Sequence, residues 1–437
     1  MRPLSHKLLV LATAVSAVAF PATAQATIDT VAIQDDQSPQ PGLFFKTFKN
    51  PAVGDVAGAN VGFYATTTRS KCIFKLNPVL NTGSAVACRG GVSPDARSFT
   101  SFADPSMNTA ADVAWSARVS GSSGVYRGDP TTVDLLGDAV PAPGSGLLNQ
   151  LSMAQIADSG DLAFKSTISG AAMVGPVPVD QGIFRCSGGD GNCSPGGTGV
   201  LTSEVLKADS VPDRAGRQFC DFSGLDISSY GLAFRASTQL DCSDGGESPL
   251  VGIFRMPLFG AIETVALSSE TSEPFPVPAG TTYSSINSGP TINNSGEVAF
   301  GASATGNVGR RALFVCGVGT CPAAPATDAV DTGQTDDGGN VFKSFSAPAI
   351  SDAGDIAFSA PVRGVPRVTT GVFVRRASAD IETVALDEDS VPGLVPAARF
   401  TTLPPQPSIS SAGRIAFRAT VTRSVSPTHR QGIFVDE

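Results

Sequence analysis

Pro348-Ala349-Ile350-Ser351-Asp352-Ala353-Gly354-Asp355-Ile356-Ala357-Phe358-Ser359-Ala360 reads as a turn feeding a strand. The Asp352 carboxylate can accept from nearby backbone, and Gly354 supplies the positive φ that a tight reversal requires. Period-two alternation then puts Ile356, Phe358 and Ala360 on one face and small Ala357 on the other. About ten residues further on, Gly371-Val372-Phe373 forms a second short strand.

The rest of the chain repeats this stretch. Aligned on its aromatic, the copies fall at Phe63, Trp115, Phe164, Phe234, Phe300, Phe358 and Phe417, with gaps of 52, 49, 70, 66, 58 and 59 residues. A small residue precedes each aromatic: Gly62, Ala114, Ala163, Ala233, Ala299, Ala357 and Ala416. Each copy is followed by a second strand, at Ile73-Phe74, Val125-Tyr126, Ile183-Phe184, Ile253-Phe254, Leu313-Phe314, Val372-Phe373 and Ile433-Phe434. Seven matched pairs, about 59 residues apart on average, identify a repeat architecture.

A third element closes each unit, clearest in the identical hexapeptides Ile262 to Leu267 and Ile381 to Leu386, with weaker forms such as Thr132-Val133-Asp134. A polar turn follows, and then a short β-prone piece such as Phe342 to Phe345. Four short strands per unit predict an all-β fold, a seven-bladed β-propeller. The ends agree with closure: Ile28 to Ala32 is a third element lacking its own strand pair, and Gly432-Ile433-Phe434 is a pair lacking its third element. The N-terminal strand is therefore expected to join the last blade as its outer strand, leaving no open sheet at the join.

Residues 1–26 read as an export signal and are set apart from the fold. Arg2 and Lys7 precede the apolar run Leu8 to Phe20, and Ala24-Gln25-Ala26 is a small-x-small cleavage site. Residues 27–437 are then a single propeller domain, expected to be secreted or periplasmic and monomeric, with no transmembrane segment. Without Arg2 and Lys7 the 30 basic residues fall to 28 against 39 acidic ones, a formal charge near −11. Such a balance argues against nucleic acid or an anionic membrane surface as partner.

Eight cysteines in an oxidising compartment favour disulfides, and sequence neighbours pair within repeats: Cys72 with Cys88, Cys186 with Cys193, Cys220 with Cys242, and Cys316 with Cys321. Zinc chemistry is disfavoured because no Cys-x-x-Cys pair occurs and His429 is the one histidine after the signal.

Two turn types carry acids. The turn before the strand, as in Asp158-Ser159-Gly160, Asn294-Ser295-Gly296 and Asp352-Ala353-Gly354, varies to Ser411 in the seventh copy, to Ser228 in the fourth, and to Ala111 in place of glycine in the second. It reads as structural. The turn after the third element has the form Asp-x-x-Pro at Asp36, Asp138, Asp209 and Asp389. All copies of this turn should lie on one face, together with the insertions Thr167 to Gln181, Ser237 to Val251 and Thr422 to Gln431. Turn initiation accounts for Asp and Pro there; the functional expectation is a ring of carboxylates binding calcium or a basic partner.

The repeat core, Ile350 to Ala360 followed by Gly371-Val372-Phe373, resembles secreted bacterial repeat proteins with an NDxGxVAFxA and GIF pattern and is similar to the extracellular HAF-repeat proteins. The resemblance implies export and fold and transfers no catalytic residue. The expected role is a non-enzymatic binding or surface-associated module taking a protein or glycan on the loop face. The alternative is a carbohydrate-active hydrolase or lyase with a site in the central channel.

Overall fold

The computed structural model describes residues 28–436 except 56–59, 95, 129–137, 142–143, 189–192, 194–196, 243–247, 269–281, 306–309, 320–326, 365–367, 393, 395–397, 404–405 and 424–428. The expected export signal lies outside the described residues. Those described form strands and turns without a helix. They build seven antiparallel blades, as the repeat predicts.

Blade 1 comprises Phe45–Val53, Val61–Thr67, Lys71–Asn77 and Thr82–Cys88 in spatial order. Blade 3 has Leu147–Ile156, Leu162–Ser169, Gln181–Ser187 and Val200–Leu206, and blade 4 has Gln218–Ile227, Gly231–Gln239, Leu250–Pro257 and Glu263–Leu267. In blade 2 the first strand is split into Phe99–Phe102 and Ser106–Met107, ahead of Val113–Val119 and Ser122–Arg127; its expected outer strand at Thr132 to Asp134 lies outside the described residues. Blades 5 to 7 are centred on Val298–Thr305, Ile356–Arg363 and Ile415–Arg423, each also with a first strand in two pieces. A break in register interrupts the uninterrupted first strands as well, between Phe48 and Pro51, Ser152 and Gln155, and Phe222 and Leu225. Such bulges bend a strand and sharpen its twist.

The ring closes as expected. Ile28–Ile33 pairs antiparallel with His429–Asp436 and becomes the outer strand of blade 7. First strands of successive blades touch in an unbroken cycle from blade 1 through blade 7 and back, so they line the axis.

Packing follows from the repeat chemistry. Aromatics of the second and third strands stack within each blade, at 5.7 Å for Phe358 and Phe373, 5.4 Å for Phe234 and Phe254, and 5.9 Å for Trp115 and Tyr126. The small residue beside each aromatic enters the next blade's core: Ala163 joins the cluster around Phe234, Ala357 that around Phe417, and Ala416 that around Phe63. Large on one side and small on the other is how a sheet covered on both faces interlocks with its neighbours. At Gly62 a Cβ would come 2.8 Å from the Met107 side chain, which accounts for glycine there.

Three expected disulfides are present: Cys72–Cys88, Cys186–Cys193 and Cys220–Cys242. Cys316 is also disulfide-bonded, whereas Cys321 lies outside the described residues.

Candidate functional site

Because adjacent strands are antiparallel, the blade connections sort onto two faces. Connections from first to second and from third to fourth strand emerge on one; those from second to third strand and from blade to blade emerge on the other. The Asp-x-x-Pro turns and the insertions belong to the second face.

There the four predicted aspartates occupy four different inter-blade connections. Asp209 and Asp389 accept the backbone N–H of Leu206 and Leu386 at 2.7 and 2.8 Å, and their own carbonyls accept from Phe219 and Phe400 of the next blade at 2.9 and 3.0 Å. The Asp36 carbonyl accepts from Phe45 at 3.0 Å in the same manner, and that of Asp138 from Leu148 at 2.9 Å. The turns at Asp36, Asp209 and Asp389 thus tie an outer strand to the following inner strand, while Asp138 is joined to the inner strand of blade 3. Burial pushes Asp209 and Asp389 above the usual carboxylate range and Asp138 up to about 6. Among the described residues, no three His, Cys, Asp or Glu side chains are grouped to hold a metal ion.

On the first face the strand-feeding turns meet around the axis. They surround a central cavity of about 360 Å³ that includes Asp55, Asp104, Asp158, Asp226 and Asp352. Side chains of one turn accept backbone N–H groups of its neighbour: Thr109 donates to Asp158 at 2.7 Å, Ser229 to Asn294 at 2.8 Å, Asn294 to Asp352 at 2.8 Å, and Ala412 to Asp55 at 3.1 Å. The fourth turn's equivalent is therefore Ser229 rather than Ser228. Asn294 Nδ2 also donates to Asp158 at 2.7 Å and Asp352 at 2.8 Å, joining blades 3, 5 and 6. Asp226 accepts from Ile292 of the next blade at 2.9 Å, and burial pushes its carboxyl up to about 6.

Between the blades, on the face of the insertions, lie three clefts. The first, about 800 Å³, separates blades 2 and 3; the second and third, about 610 and 520 Å³, flank blade 6 and share Ser344, Phe345 and Ser346. Hydroxyls and amides dominate the walls of the first two, among them Ser101, Ser123, Asn149 and Gln150 in the first and Asn287, Ser303 and Ser346 in the second. One aromatic stands in each region, Phe102 in the first and Phe345 in the pair.

These aromatics come from an apolar-x-x-apolar motif opening every inner strand: Phe45 with Phe48, Phe99 with Phe102, Leu148 with Leu151, Phe219 with Phe222, Tyr283 with Ile286, Phe342 with Phe345, and Phe400 with Leu403. The second member is buried in five blades and half-buried at Phe102 and Phe345. Blade 2 turns from its second to its third strand through Ser120 and Gly121 alone, with Val119 paired to Ser122, so this hairpin carries no insertion. The motif was visible as a β-prone piece; the exposure of two of its members was not.

Several solved structures resemble this chain distantly. A puromycin hydrolase shows 12% identity and a TM-score of 0.46, with 87% of this chain and 53% of that one covered. A puromycin-hydrolyzing peptidase of Mycobacterium tuberculosis shows 12% and 0.42, covering 93% and 56%; the chain thus spans about half the length of these two proteins. The polysaccharide lyase Uly1 shows 8% and 0.42, covering 95% and 98%. At these values none of their activities is carried to this chain. No curated protein matches it. A family of unknown function, DUF7453, matches residues 78–437, and the chain belongs to that family.

Proposed function

Membership of a family without an assigned activity leaves the reading to the geometry, and we propose that the protein is an exported, non-enzymatic propeller that binds a glycan on the face of the inter-blade clefts. Export is the reading of the N-terminal signal, of the resemblance to HAF-repeat proteins and of cysteines committed to disulfides. The observation that carries the binding reading is the partial exposure of Phe102 and Phe345 in clefts walled by hydroxyls and amides, when the equivalent side chains of the other blades are buried. A flat ring flanked by neutral donors and acceptors offers a sugar both an apolar surface for its C–H groups and partners for its hydroxyls.

Phe102→Ala and Phe345→Ala are expected to weaken polysaccharide binding about threefold to tenfold each, the usual worth of such a ring contact, in affinity electrophoresis or calorimetry. Retained affinity in the double variant would refute the reading.

The second reading, a carbohydrate-active hydrolase or lyase, is favoured by Asp226: it lines the central cavity among other carboxylates, and burial pushes its carboxyl up to about 6, nearer the range in which a carboxyl serves as an acid. Release of new reducing ends or unsaturated products from mixed polysaccharides, abolished in Asp226→Asn, would establish it.

A further inference from the structure

We infer that the glycan is a carboxylate-bearing polysaccharide, whose uronate groups are taken by Arg118 in the cleft between blades 2 and 3 and by Arg311 in the cleft between blades 5 and 6. The inference rests on the glycan-binding reading and adds the ligand's charge and the existence of two sites.

Charge distribution is the first argument. The chain carries a formal charge of −9, and the opposite face gathers five aspartates around the axis. Among the described residues none of the three clefts has an Asp or Glu in its walls, yet they contain Arg118 and Lys165, Arg311, and Arg418 respectively. Cations without acids, in an acidic protein, mark where an anion is received.

The second argument is which cations are uncommitted. Lys165 donates to Asp221 at 2.9 Å and to the Phe222 carbonyl at 2.5 Å, and Arg418 Nη1 donates to the Phe48 carbonyl at 2.8 Å, so both staple adjacent blades. Arg118 and Arg311 are exposed, and among the described residues neither side chain has an ion pair or hydrogen bond. Nor does the repeat require Arg118: three residues after the strand aromatic, other copies have Thr66, Thr167, Ser237, Ser303, Pro361 and Thr420. A guanidinium fork matches a carboxylate in two parallel hydrogen bonds. The ring of Phe102 or Phe345 in the same cleft fits the sugar that bears it.

The overall negative charge selects among polyanions. A dense one, such as a nucleic acid, would be repelled by the rest of the molecule, whereas a polymer with one carboxylate per ring meets a single guanidinium per cleft. The two arginines stand on opposite arcs of the ring, blades 2–3 and 5–6, so one long chain engaging both would gain by avidity.

The test uses the oxidised mature chain with polygalacturonic acid, its fully methyl-esterified form and dextran, titrated at 50 and 300 mM NaCl. We expect at least tenfold tighter binding to the acid than to its ester, lost at high salt. Arg118→Gln and Arg311→Gln should each lower affinity for the acid severalfold at unchanged melting temperature, and the double variant should bind acid and ester alike; Arg→Lys at both positions should retain part of the preference. Equal affinity of the native chain for acid and ester would overturn the inference while leaving glycan binding intact. Failure to bind any of the three polymers would overturn both.

Discussion

Asp226 shows what a single side chain contributes and costs. It sits in an inner strand, accepts the Ile292 N–H of the neighbouring blade, and is held by burial at about 6 instead of the ordinary value near 3.8. Because the folded state raises this pKa, the folded protein binds the proton more tightly than the unfolded chain. The associated stability is present below about pH 4 and is lost as pH rises toward 6. Above that, the ionised form burdens the fold by on the order of 2–3 kcal/mol. Asp226→Asn keeps an acceptor for Ile292 and removes the charge. It is expected to raise the melting temperature at pH 7.5 and to flatten the decline between pH 4 and 6; a lowered melting temperature at pH 7.5 would contradict the desolvation account. Asp138, also at about 6 and with its Oδ2 buried without a partner among the described residues, adds to the same slope.

At the scale of the element, the turns decide more than local shape. Gly160, Gly296, Gly354 and Gly413 reverse the strand-feeding turn at φ between 78° and 86°, and blade 2 does the same with Ala111 at 61°. That alanine's methyl is buried, so glycine there would relieve strain at the expense of packing. The cleaner case is Ala379, in the hairpin from third to fourth strand of blade 6, where φ is 77° and the side chain is exposed. Ala379→Gly relieves left-handed strain without disturbing the core, and chemical denaturation should show a gain of about 1 kcal/mol. An unchanged midpoint would mean that this hairpin is not strained. Arginines extend the same logic between blades: Arg127 donates to the Gly160 carbonyl at 2.9 Å and Arg255, wholly buried, to that of Gly296 at 2.8 Å while paired with Glu263. Turn and staple act together, because a turn carbonyl facing the neighbouring blade needs a donor.

The whole molecule depends on its closing strand. Ile28–Ile33 covers the edge of His429–Asp436, and Ile33 is fully buried. Deleting residues 28–33 leaves that edge unpaired and opens a buried seam. The expected result is a melting temperature lowered by about 10 °C or more, the order that loss of several kcal/mol brings, with self-association in size-exclusion chromatography. A monodisperse variant of native stability would show that the ring does not need the strand.

What was legible in the chain was what repeats. The aromatic and its small neighbour recur because every blade meets two others, so periodicity alone revealed the blade count, the interlocking core and the closing strand. Local cysteine spacing likewise announced the three bridges now described, since each joins residues in neighbouring strands or an adjoining loop of one repeat. The turn acids at Asp158 and Asp352 were legible as turns, but their variation concealed that they meet across the axis through Asn294, 136 residues from one and 58 from the other. The uneven exposure of Phe102 and Phe345 was equally hidden, because it depends on how neighbouring blades meet. Sequence by itself determined the repeated unit and its closure, because these rest on local periodicity and burial common to every copy. Only the tertiary structure decided where binding chemistry can gather, because the channel and the clefts lie between blades and are made by residues that the chain keeps far apart.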